Sequence, residues 1–153
     1  MKRVAMSAGV FVAGLAVGMG TLAVKAAPTR KYVNLPNRAL PGLPFSDAVQ
    51  VGDTLYIAGR IALDPTTRKP PADPEQEARQ VLDQLKSVLA EAGMTTDDLV
   101  SVTVYCSDLK LFDTWNKVYP TYFGKEYPAR AFIGAGTLLF GARFEVQGIA
   151  VKR

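Results

Sequence analysis

Histidine is absent from this 153-residue sequence, and cysteine occurs once, as Cys106. Without histidine the chain builds neither a Ser-His-Asp nor a Cys-His constellation, and it has no histidine metal site. A single cysteine excludes an intramolecular disulfide. Cys106 closes "LVSVTVYC", where Val100, Val102 and Val104 alternate with polar or aromatic residues, and this spacing sets it on the apolar face of a strand. It is expected to be a buried core thiol rather than a reactive one. Basic blocks are missing too, although the net charge is +4.

That charge is concentrated at the front. Lys2 and Arg3 precede an uncharged run from Val4 to Val24, and small residues follow. Charge, apolar stretch and small-residue exit form the pattern of a secretory signal peptide, with Val24 and Ala26 at the two positions a signal peptidase reads. Cleavage after Ala26 is therefore expected, giving an exported, periplasmic protein. An uncleaved membrane anchor is the alternative, because about 20 apolar residues can span a bilayer. Cleavage leaves 127 residues, enough for one domain, and removes Lys2, Arg3 and Lys25 without any acid, so +4 falls to +1. Such a chain has no electrostatic footprint for nucleic acid.

The remainder divides into an extension, residues 27–42, and a domain, residues 43–153. Within the extension only "KYVNL" reads as a strand. "FSDAVQVGDTLYIAGRIAL" reads as two strands turning at Gly52-Asp53. A helix follows from Asp73, with a capping side chain, Pro74 at the first helical position and Gln76 placed to reach back. Ala78, Val81, Leu82, Leu85, Val88, Leu89 and Ala92 recur at the spacing of one helical face, and Gly93 ends it. After the strand through Cys106, Asp108 can cap a second helix bearing Phe112, Trp115, Tyr119, Tyr122 and Phe123, which Pro120 should end or kink. "ARAFIGAG" and "ARFEVQGIAVK" supply two more strands. The order predicts a mixed α+β sheet with both helices on one face. Val49, Val51, Ile57, Val102, Ile133 and Val146 are more β-branched material than a one-sided sheet needs, which predicts that sheets of several subunits pack together.

Few residues remain to carry chemistry. "GAG" at Gly134–Gly136 lacks the lysine and the following helix that a phosphate loop requires. The aromatics of "DLKLFDTWNKVYPTYF" sit at helical spacing, as a core does, rather than as a nucleic-acid platform. In "PARAF", Arg130 stands between two alanines, and Glu145 opens "EVQGIAV" on a strand expected to be central. An Arg130 and Glu145 pair across neighbouring strands or subunits reads either as a structural ion pair or as an anion-binding arginine with a water-positioning carboxylate.

Taken in order, "PFSDAVQVGDTLYIAGRIALDP", "EARQVLDQLKSVLAEAG", "DLVSVTVYCSDLKLFDTWNKVY", "PARAF" and "FEVQGIAV" resemble the RidA/YjgF family of reactive-intermediate imine deaminases. The resemblance runs from Leu43 to Arg153. It implies a chorismate-mutase-like fold, a homotrimer with clefts between subunits, and hydrolysis of 2-imino acids to 2-oxo acids and ammonia without metal or organic cofactor. By the same resemblance Arg130 clamps the substrate carboxylate, Glu145 positions or activates water, the Gly59 backbone lines the cleft, and Asn116 falls where an asparagine is common. Departures are Phe45 for a tyrosine, Ala58 for a serine, Phe132 for a cysteine and Arg60 for a glutamine. They describe a cleft with fewer polar groups and one more positive charge. A non-catalytic trimer binding a small carboxylate or another protein is the alternative function.

Overall fold

In a computed structural model of the chain, which describes residues 27–36, 38, 42–124 and 126–153, Gly52 and Asp53 turn β2 (Ala48–Val51) into β3 (Thr54–Ile61). Gly52 adopts φ +59°, the left-handed conformation that a two-residue hairpin turn demands. The expected leader, residues 1–26, lies outside the described residues. The short strand anticipated near "KYVNL" is β1 (Arg30–Val33), which pairs antiparallel with β2 and extends the sheet by one edge strand.

Helix α1 spans Pro74–Glu91. The Asp73 carboxylate caps it by accepting from the amides of Glu75 and Gln76 at 3.1 and 3.3 Å. Among the described residues the Gln76 side chain makes no reciprocal bond; Asp73 caps alone. Val81, Leu82, Leu85, Val88 and Leu89 are fully buried. A cap contributes about 1 kcal/mol, whereas each such side chain contributes about 1.5–3 kcal/mol, so packing holds this helix in place. Asp108 accepts from Lys110 N (3.0 Å) and starts a 3₁₀ turn, Leu109–Leu111, that leads into α2 (Phe112–Val118). Pro120 acts as expected: beyond Val118 the chain tightens into a 3₁₀ turn, Tyr119–Tyr122.

The strands β4 (Leu99–Cys106), β5 (Ala129–Gly134) and β6 (Phe144–Val151) complete one six-stranded sheet in the order β1-β2-β3-β6-β4-β5. Only β4 and β5 run parallel. Both helices lie on one face, over Leu55, Ile57, Val102, Val104, Cys106, Phe144, Val146 and Ala150, all buried. Cys106 is the core thiol its spacing predicts, and burial pushes its pKa up.

The opposite face carries no element among the described residues. It presents Tyr56, Ser101, Thr103, Gln147 and Ile149. This corrects the sequence-based assignment of the open face. Ile57, Val102 and Val146 belong to the helix-covered core, while Val49, Val51 and Ile133 remain outside it. The open face is thus mixed polar and apolar.

Candidate active site

Arg130 and Glu145 do not meet within one chain. Arg130 of β5 stands opposite Val102 of β4, and Glu145 of β6 stands opposite Tyr105. Val102 and Tyr105 are three positions apart, an odd offset, so their neighbours leave opposite faces of the sheet. Strand β4 also lies between β5 and β6. A pair across neighbouring strands of one chain is therefore excluded, and the predicted site residues fall into two groups.

The first group gathers on the helix-covered face. Arg130 Nη2 donates to Asn116 Oδ1 of α2 at 2.9 Å, and the guanidinium carbon lies 4.6 Å from the centre of the Tyr119 ring. Burial pushes the Tyr119 phenol up to about 12 against the opposing pull of Arg130, so the ring is a neutral platform. Among the described residues no carboxylate lies in ion-pair range of Arg130. Phe132, two residues along the same face, meets Phe112 edge to face at 5.2 Å and packs 6.3 Å from Trp115. An oriented, uncompensated guanidinium suits a planar anion.

The second group lines a cleft of about 350 Å³ and comprises Phe45, Ala58, Gly59, Arg60 and Glu145. The β3–β6 register slips between Ile57 and Arg60, and this irregularity carries Gly59 against Glu145. A Cβ built at Gly59 would collide with Glu145 Oε1 and come within 3.0 Å of its Cδ. The missing side chain is thus the space the carboxylate occupies. Burial raises the Glu145 pKa. A half-buried carboxylate with a raised pKa, open to a cleft, has the character of a general base.

Arg60 lines this cleft, but its charge is engaged. Its Nη1 pairs with Asp47 Oδ1, and its Nη2 donates to Gln84 Oε1 at 3.2 Å. Asp47, fully buried, also holds Arg38 Nε at 3.2 Å and accepts from Leu35 N at 2.7 Å. Arg60 Nε is buried without a hydrogen-bond partner among the described residues, as are Trp115 Nε1 and the Tyr119 hydroxyl. The expected additional substrate-facing cation is therefore a structural one, committed to a buried carboxylate.

Reasoning from sequence missed Asp47, Arg38 and the loop before β6. In that loop Leu139 is 69% exposed and Phe140 47%, yet both line the cleft. Phe140 adopts φ +58°, a left-handed conformation rare outside glycine and its small polar substitutes. "TLLF" inside a turn segment, where polar residues are usual, was the available signal.

Residues 36–152 match the family model described as Endoribonuclease L-PSP. The chain belongs to the RidA/YjgF/RutC family. Among relatives of this family, the 2-iminobutanoate/2-iminopropanoate deaminase of Mus musculus is 40% identical over 110 residues, covering 71% of this chain and 82% of the mouse protein. A RutC family protein of Pyrococcus horikoshii is 38% identical over 124 residues, 80% of this chain and 98% of the other. The crystal structure of the YjgF gene product from E. coli superposes with a TM-score of 0.74 at 33% identity, covering 80% of this chain and 99% of that one. The mixed sheet with two helices on one face is therefore the fold of the RidA/YjgF family.

Proposed function

We propose that this protein hydrolyses 2-imino acids to 2-oxo acids and ammonia, in clefts that a neighbouring copy of the chain completes within a homotrimer. The observation that carries this reading is the Glu145 carboxylate held in the space left by Gly59, desolvated and facing the cleft. The name of the mouse relative supports the same chemistry. Because Arg130 and Glu145 leave opposite faces of one sheet, a second copy is the simplest source of the missing half-site.

The reaction asks little of the protein, since an imine carbon is already electrophilic. Glu145 takes a proton from water as the oxygen bonds to C2, and the C=N π pair moves to nitrogen, which takes up a proton. In the resulting carbinolamine the hydroxyl proton passes by way of Glu145 to the amino nitrogen, the C–N bond breaks, ammonia leaves with the bonding pair, and the C–O bond becomes the ketone. Imine and water become 2-oxo acid and ammonia, with no redox change. Arg130 of the neighbouring copy holds the carboxylate bidentately and Glu145 aims the water. Such orientation removes much of the entropic barrier, and general-base help supplies about 10²–10⁴-fold.

The test couples the purified protein to an amino-acid oxidase with semicarbazide present to trap residual imine. Trapped semicarbazone should fall when the protein is added, and Glu145→Gln should restore it. An unchanged yield for every amino acid supplied would overturn the deaminase reading. It would favour the second reading, a carboxylate-binding trimer. Phe45, Ala58 and Phe132, which put no hydroxyl or thiol where the resemblance expects one, favour that alternative.

A further inference from the structure

The cleft beside Glu145 is built unevenly. Its lining includes the Glu145 carboxylate, set against the Gly59 backbone. Leu43, Phe45, Leu63, Leu139 and Phe140 line the same cleft. Leu43, Phe45, Leu139 and Phe140 are all substantially exposed, so apolar side chains from two separate segments, residues 43–45 and 139–140, face the same space. Phe140 is there in spite of its backbone, which holds a left-handed φ of +58° between Leu139 and the left-handed Gly141. Strain of this kind persists where the position of the side chain matters.

The guanidiniums that line the cleft are held in place by protein acceptors. Arg60 is matched by Asp47, and Arg38 is bound to Asp47 and to the Phe45 carbonyl (3.0 Å) while its guanidinium lies 5.3 Å from the centre of the Phe45 ring. Among the described residues Arg38 and Arg60 are both already tied to Asp47, so an acidic side chain entering here would compete with that carboxylate for them. The cleft, about 350 Å³ before a neighbouring copy closes it, has room for a side chain of several carbons.

We infer that this cleft selects 2-imino acids with a bulky apolar side chain, and that Phe140 and Leu139 are its specificity-determining residues. The inference rests on the deaminase reading. With the reacting carbon at Glu145, the substrate side chain extends away from Gly59 and lies between the Phe45 and Phe140 segments. Short-chain imines leave the space between those segments unfilled and gain none of its burial.

The experiment measures kcat/KM for imines generated from alanine, leucine, phenylalanine and glutamate by matched oxidases, for the wild type, Phe140→Ala and Leu139→Ala. Expected is a preference of about tenfold or more for the leucine or phenylalanine imine over the alanine imine, in line with what one or two apolar groups discriminate. Either substitution should reduce that ratio severalfold, with melting temperature recorded to show that the fold persists. Turnover that is equal across side chains, favours alanine or favours glutamate would overturn the inference and leave the deaminase reading standing. A ratio unmoved by both substitutions in folded protein would also overturn it. Absence of turnover on all four imines would overturn both.

Discussion

Glu145 combines two properties that oppose each other. As a base it must ionise, and as a half-buried group it resists ionisation, so its pKa lies above the ordinary value of 4.5. The unfolded chain, whose glutamate titrates normally, therefore loses its proton first as pH rises. Below 4.5 both states are protonated and this residue costs nothing. Stability is then lost as pH climbs from 4.5 through the raised folded value. Melting temperatures of wild type and Glu145→Gln across pH should differ little at the acidic end in their shape and diverge above it, the variant losing less stability as pH rises. Parallel curves would mean that the carboxylate is solvated in the native protein. Asp47 and Arg60 show why part of this site escaped the sequence. Nothing in "PFSDAV" reveals that its aspartate will be buried, because the two arginines that neutralise it come from the 38–45 segment and from β3.

At the scale of elements, the start of β6 is fastened by one ion pair. Glu77, fully buried on α1, accepts from Arg143 Nε at 2.5 Å and from the amides of Arg143 and Phe144 at 2.6 and 3.3 Å. Arg143 Nη1 in turn donates to the Ala72 carbonyl (3.0 Å) just before the helix. Removing one partner of such a buried pair typically costs about 3–5 kcal/mol, against about 0.3–0.5 kcal/mol for an exposed pair such as Glu75 with Arg79. Glu77→Ala should therefore lower unfolding free energy in denaturant titration by about 3 kcal/mol, nearer the lower figure because Arg143 is partly exposed, while Glu75→Ala changes it little. Equal small effects would show that helix and strand are joined by packing alone. The helix itself was legible, since Ala78 to Ala92 repeat at its period between Asp73 and Gly93. Glu77 was not, for it sits at a charged position whose partner is 66 residues away.

For the whole molecule, the decisive relation is one of parity. Strand alternation in "PARAF" and "RFEVQG" was readable, but which face each strand turns to the helices depends on register, and register emerges only when β4 pairs with both neighbours. That register separates Arg130 from Glu145. If clefts are shared between copies, two inactive variants should repair each other. Equimolar Arg130→Ala and Glu145→Gln, unfolded together and refolded, should give trimers in which about a quarter of clefts pair an intact arginine with an intact glutamate. Imine hydrolysis should return to about that fraction of wild type, with light scattering reporting a trimer. Refolded mixtures as inactive as either parent would remove one of the two groups from the mechanism.

Gly59 carries a consequence of a genetic kind. Every missense change at its codon adds at least a Cβ, and that atom falls where Glu145 Oε1 already is. Any such residue makes the flexible Glu145 side chain swing aside, so the allele encoding alanine, mild almost anywhere else in a strand, is expected to keep the fold and displace the carboxylate from its place in the cleft. A suppressor of that allele is expected at codon 145, where aspartate, shorter by one methylene, gives back the room.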